Sequence, residues 1–362
     1  MNTSLPKLII MSAALVVLGA ACSKDTSAPL DDGGIFRTTD GGETWTRHNV
    51  YPTSQGVGTI SRYDAIRIVI DPTDRKTIYA GTLQNGLVVS YDEGATWQHA
   101  RQIKDNIVRE IIIDPRDKCN VYVAWFKSVM RSTDCTRTFT EVYKDPQEGV
   151  QIRALAMHPD DAKTLYAGLS DGRVIKSIDS GATWRTMYHF KDRVIRFVIN
   201  PENPAIMYAA LLSKGLWRSI DGGESWESLK KKLAGAATAG VANFTSGYDV
   251  ALDPSHNEVV YYATKVGIMR SPDDGESWEI VPILTSPGEA RIYSVAVDPH
   301  DPKVIMYGAT LGNRSVLYKT EDGGENWTIK KVPTTRISIS LAFDKEKKGL
   351  IYLGTYFRPP AD

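Results

Sequence analysis

The chain has 362 residues, and its 43 Lys and Arg are matched by 43 Asp and Glu. That balance excludes a general nucleic-acid or anionic-surface binder, which would carry a basic excess. No second apolar run after the N-terminal one approaches the roughly 18 residues of a membrane-spanning helix.

From the N-terminus, Lys7 supplies a positive start, Leu8 to Leu18 is an apolar run too short to span a bilayer comfortably, and Gly19-Ala20-Ala21 precede Cys22. This order predicts a secretory signal peptide over residues 1–21. A Cys directly after small residues resembles the bacterial lipobox, which implies lipidation of Cys22, although Gly19 stands where that pattern usually has Leu. Residues 22–32 are polar and contain a proline, so they read as a tether between membrane and folded domain. The expected location is the cell envelope, periplasmic or at the cell surface.

From residue 33 onward one phrase, Ser/Thr-x-Asp-x-Gly-x-x-Trp, returns seven times. Its aspartates, Asp40, Asp92, Asp134, Asp179, Asp221, Asp273 and Asp322, lie 52, 42, 45, 42, 52 and 49 residues apart. A period of roughly 40–50 residues fits one four-stranded propeller blade. The second repeat shows the plan. Ile66, Ile68 and Ile70 alternate with Arg67 and Val69, as a strand requires, and Asp71-Pro72 ends the run. Thr77 to Gly81 forms a second strand, Gln84-Asn85-Gly86 turns, Leu87 to Ser90 forms a third, and Trp97 opens a fourth after the box. Only Leu229 to Ala239 carries a helical pattern. In each box the Asp and the Ser/Thr hydroxyl suit hydrogen bonding to turn amides, the Gly suits a positive φ, and the Trp suits the base of a hairpin. A calcium role for seven such turns is disfavoured, since a calcium loop needs several acidic residues at alternate positions.

The two ends complete each other. Ile337 to Phe343 and Leu350 to Tyr356 supply two strands without a third, while Gly34 to Arg37 supply a third strand ahead of the first box. The expectation is an all-β fold, a seven-bladed propeller over residues 33–358 with four-stranded blades, closed by N- and C-terminal strands that share one blade, and a tail at 359–362. The third repeat is irregular: Thr136 replaces the box Gly and Phe139 the Trp, and the same repeat holds Cys119 and Cys135. Export, and the placement of both on neighbouring antiparallel strands, predict a disulfide that stands in for the lost turn chemistry.

The boxes, together with the Asp-Pro turns and the Tyr-Ala-Gly strands, resemble the Asp-box (BNR-repeat) propellers. The group includes sialidases, xyloglucanases, sortilin-type receptors and photosystem II assembly factors. The seven blades and the envelope anchor look most like the assembly-factor group, which implies binding of other proteins during complex biogenesis. The resemblance also implies that the boxes occupy one face. The loops between blades then surround the mouth of a central channel on the opposite face, and the first strand of every blade lines that channel.

Counting back four residues from each first turn gives a channel ring of Arg67, Glu110, Ala154, Arg196, Asp249, Ser294 and Ser340. Arg153, Tyr248 and Tyr293 flank this ring, and Arg193, Arg291 and Arg336 lie at the start of their strands. The candidate ligand site is therefore Arg67, Glu110, Arg153, Arg196, Tyr248, Asp249 and Tyr293, suited to a carboxylate, sugar or peptide. The plainer reading of its charges is mutual neutralisation, Arg67 with Glu110 and Arg196 with Asp249. The function expected is a non-catalytic, monomeric scaffold for envelope protein partners. It needs no cofactor or metal, binds no nucleic acid, and meets the membrane through its N-terminal lipid alone. The alternative is a glycan binder or a glycoside hydrolase whose two carboxylates would be Glu110 and Asp249. No Arg-Ile-Pro motif of the sialidase kind occurs, nor His-Glu-x-x-His.

Overall fold

The computed structural model describes residues 31–236 and 246–357. Cys22, the predicted signal peptide, the Ala/Gly-rich part of the loop after residue 236 and the C-terminal tail lie outside the described residues. Seven four-stranded antiparallel sheets form the blades, numbered here by the box each contains. Blade 2 runs Ala65–Ile70, Ile78–Thr82, Leu87–Ser90 and Gln98–His99, which we label strands A to D from the channel outward. The A strands of blades 3 to 7 are Val108–Asp114, Ile152–His158, Val194–Ile199, Gly247–Leu252 and Ala290–Asp298.

Blade 1 is the composite predicted from the two ends. Ile337–Phe343 and Ile351–Tyr356 pair with Ile35–Thr38 and Thr46–Arg47, with Ile35 opposite Gly354 and Thr38 opposite Ile351. Two ladders that would each have ended in an open edge are thereby covered. Strand B is buried along its length in blades 2, 5 and 6, because its neighbours in the ring pack on both of its faces. The apolar cores lie between successive blades: Tyr79, Leu87 and Val89 of blade 2 meet Ile111, Val121 and Val123 of blade 3. Of the two long inter-blade loops, the first holds an added hairpin, Val50–Thr53 with Gly56–Thr59, and the second begins with the helix Lys230–Ala236.

Each box is a closed hydrogen-bond circuit. In the first, Thr38 Oγ1 donates to Asp40 Oδ1 at 2.6 Å and accepts from the Gly42 amide at 3.1 Å. Asp40 Oδ1 accepts from the Thr44 amide at 3.0 Å, and Oδ2 accepts from the Thr44 hydroxyl. The fourth member of the circuit, at the seventh box position, escaped the consensus above although it is uniformly polar: Thr44, Thr96, Thr138, Thr183, Ser225, Ser277 and Asn326. The box glycine is positive in φ, from 82° at Gly94 to 102° at Gly324.

The third box corrects one expectation. Its hydrogen bonds are intact, with Ser132 Oγ donating to Asp134 at 2.9 Å and accepting from the Thr136 amide at 2.9 Å. What it lacks is conformational ease, because the β-branched Thr136 holds a φ of 65° where the other six boxes have glycine. It also lacks the indole N–H that Trp45, Trp226 and Trp278 donate back to the box glycine carbonyl. The Cys119–Cys135 disulfide forms, and it fastens a strained turn rather than replacing a missing network.

Two outcomes follow from these turns. The seventh-position hydroxyls of Thr138, Thr183 and Ser225 are the main force holding Asp134, Asp179 and Asp221 down to about 2, against an ordinary value of 3.8. A depressed carboxylate stabilises the fold above its unfolded value and loses that contribution as pH falls through the folded one. The denaturant midpoint of Asp179→Asn should therefore lie below wild type at pH 7, and the gap should close between about pH 4 and pH 2. Reduction, or Cys119→Ser with Cys135→Ser, should lower unfolding free energy by about 3 kcal/mol, the usual effect of a crosslink closing a loop of this length. Denaturant titrations with and without reductant check it.

Candidate functional site

Strand A of every blade carries a register irregularity near its start, and this sets the geometry of the channel. In blade 2 Ala65 pairs with Thr82 and Arg67 with Gly81, so Ile66 has no partner across the ladder. The equivalent bulged residues elsewhere are Arg109, Arg153, Ile195, Tyr248, Tyr293 and Ile339. A bulge re-aims a side chain without moving the rest of the strand. The seven predicted site residues consequently fall at two register levels.

The lower level is an ion-paired belt. Arg67 Nε lies 2.5 Å from Glu110, Arg196 lies 2.9 Å from Glu110, and Arg196 Nε lies 3.4 Å from Asp249. The neutralisation weighed above is thus present, and it is continuous: Arg196 joins the two carboxylates. The belt also ties blades together. Ser340 accepts from the Ile68 amide at 2.9 Å and Asp249 from the Val295 amide at 3.2 Å, each across a blade boundary. Burial pushes the Asp249 carboxyl up and the Arg67 guanidinium down from their ordinary values. Glu110 and Asp249, the pair that a hydrolase would use, are both held to the same guanidinium.

The upper level is composed differently. Tyr248 and Tyr293 stack with ring centroids 5.1 Å apart. Across blades 3, 4 and 5, Arg109, Arg153 and Arg193 form a cluster whose members repel one another. Burial first, and then the neighbouring guanidiniums, push Arg153 down to about 9; burial and Arg193 push Arg109 to about 10. Both stay charged at neutral pH. Among the described residues none of the three is ion-paired to a carboxylate, and the buried Nε of Arg109 and of Arg153 has no hydrogen-bond partner. Arg109 was not among the predicted site residues, and Arg193 was placed only at the start of its strand. Arg336 serves the ring instead of the mouth, since it is buried between Asp32 at 3.2 Å and Asp64 at 2.9 Å. Arg291 is exposed.

No family model matches the chain. The xyloglucanase Xgh74A of Acetivibrio thermocellus is 29% identical over 161 residues, which is 43% of this chain and 16% of that protein. Among solved structures, the GH74 xyloglucanase of Xanthomonas campestris superposes with a TM-score of 0.63 at 19% identity, covering 81% of this chain and 51% of that one. YCF48 of Cyanidioschyzon merolae gives 0.59 at 13% identity, covering 81% and 95%. A structure of YCF48 bound to D1 peptide gives 0.59 at 15%, covering 91% and 100%. The chain is thus a seven-bladed β-propeller with the architecture of these proteins, and at such identities the likeness to the solved structures is one of fold. It spans about a sixth of the curated xyloglucanase it matches.

The two levels should respond oppositely to loss of charge. Arg67→Met removes one partner of Glu110, a carboxylate that is 5% exposed, and should cost about 3 kcal/mol. Arg153→Met removes a self-repelling charge and should leave the unfolding midpoint unchanged or raise it. Thermal unfolding of the two variants side by side checks the contrast.

Proposed function

We propose that this protein is a non-catalytic binding propeller of the cell envelope that holds a partner protein by a carboxylate-bearing segment at the upper mouth of its channel. One observation carries the reading: three guanidiniums, from three consecutive blades, converge without a carboxylate counter-ion among the described residues. Convergent arginines are suited to bidentate carboxylate recognition, and an arriving anion would relieve the repulsion they bear. The stacked Tyr248 and Tyr293 at the same register offer a flat, partly apolar wall against which a peptide can lie. That YCF48 has been seen with D1 peptide bound supports peptide capture on this architecture. The envelope location rests on the sequence of residues 7–22, with Cys22 as the lipidated residue.

Pull-down from solubilised envelopes tests the reading. Wild type should recover discrete protein partners, and Arg109→Met with Arg153→Met should lose them by about tenfold or more while unfolding at the wild-type midpoint or above. Cys22→Ser should move the protein from the membrane fraction to the soluble one. Undiminished recovery by the arginine variant would refute the site. Turnover of xyloglucan that disappears in Glu110→Gln would favour the hydrolase instead.

A further inference from the structure

The junction between blades 2 and 3 is built unlike its neighbours, at the outer edge of the ring and away from the channel. At other junctions a box holds the preceding blade by one of two devices, or by both. The indole N–H groups of Trp97, Trp184 and Trp327 donate to the carbonyls of His48, Val142 and Pro282 at 2.7, 3.1 and 2.7 Å, in or just past the outermost strand of the blade before. The glutamate at the sixth box position reaches back to a cation: Glu43 to Lys330 at 2.5 Å, Glu224 to Arg185 at 3.2 Å and Glu276 to Arg218 at 2.5 Å.

Box 3 has neither device. Phe139 has no indole to donate, and the sixth position is Arg137. The preceding blade contributes a second cation, Arg101, just past its strand D. The two arginines line one cavity of about 430 Å³ between the blades, a size ordinary for a small-molecule site. No carboxylate lines it, and neither arginine is ion-paired among the described residues. The hydroxyls of Tyr91 and Thr136, 3.0 Å apart, join the two blades in its wall, and the crosslinked Cys135 fixes the box 3 side. Burial first, and then the Lys104 cation, hold His99 of the same wall below its ordinary value, so the imidazole is neutral beside an uncompensated positive charge.

We propose that this recess binds a small polycarboxylate, whose carboxylates take the guanidiniums of Arg101 and Arg137 and supply the acid that the junction lacks. Boxes 1, 5, 6 and 7 carry a carboxylate where box 3 carries Arg137, and a guanidinium matches a carboxylate bidentately. Each arginine is exposed and alone would hold a carboxylate weakly in water. Two lining one recess engage one molecule together, so the number of carboxylates decides the affinity.

This site does not depend on partner capture at the channel mouth, and the test removes that mouth. Calorimetric titration of the full chain carrying Arg109→Met and Arg153→Met uses citrate, with acetate and inorganic phosphate at matched ionic strength. Citrate should bind saturably at one site, and acetate at least about tenfold more weakly. Adding Arg101→Gln to this parent should weaken citrate by about tenfold or more. Adding Arg137→Glu instead restores the acid of the other boxes and gives Arg101 a partner. It should abolish citrate binding while the unfolding midpoint stays at or above that of the parent. The assignment is overturned by no saturable citrate binding, by acetate or phosphate binding as tightly as citrate, or by either folded arginine variant binding citrate like its parent.

Discussion

Every position in the channel depends on the ring being closed, and one buried arginine secures the closure. Arg336 is 5% exposed, and its guanidinium lies between Asp32 of the N-terminal segment and Asp64 at the entry to blade 2. Asp32 also accepts from the Thr335 amide and hydroxyl at 2.7 Å, and Asp64 from the Phe357 amide at 2.7 Å. The Phe357 ring sits 5.7 Å from the same guanidinium. A buried ion pair gains little unless its remaining donors and acceptors are filled; here four segments of chain fill them. With blade 1 sealed in this way, Ser340 can reach the Ile68 amide across the seam just as Asp249 reaches Val295 elsewhere. The seam is chemically continuous with the rest of the belt.

The boxes solve a different problem, repeated seven times. Each C–D turn must reverse the chain where the outermost strands are exposed and contribute little burial. The circuit of hydroxyl, carboxylate, amide and seventh-position donor satisfies the turn internally, so the hairpin does not need packing to hold it. Blade 3 shows which part of the design is negotiable. The hydrogen bonds survive the loss of glycine and tryptophan, and the cost, a β-branched residue at the positive φ that glycine takes in the other boxes, coincides with the molecule's one covalent crosslink among the described residues.

The fold was legible because its signals are periodic. Box spacing gave the blade, Asp-Pro turns gave the ends of strand A, and the strand count at Gly34 and at Tyr356 gave the closure. The belt was legible for the same reason: plain alternation places Arg67, Glu110, Arg196 and Asp249 on one face. The arginine mouth was less so. Alternation turns Arg109 away from the channel once Glu110 faces it, and only a bulge between them allows both to contribute. A bulge has no signature in hydrophobic pattern, so Arg109 was overlooked while Arg153, Tyr248 and Tyr293 were placed beside the belt instead of above it. The role of Arg336 had no signal of its own, since nothing in its neighbourhood in sequence announces that Asp32 will meet it.

That last contact spans 304 residues. Formation of contacts this distant waits on nearly the whole polypeptide, whereas each of blades 2 to 7 needs only its own stretch of chain. During synthesis, then, the early blades can assemble in order while the circle stays a horseshoe, its first and last sheets bare along one side. Sealing becomes the final event, and the interval before it is when the nascent protein is most exposed to adhesion with its neighbours.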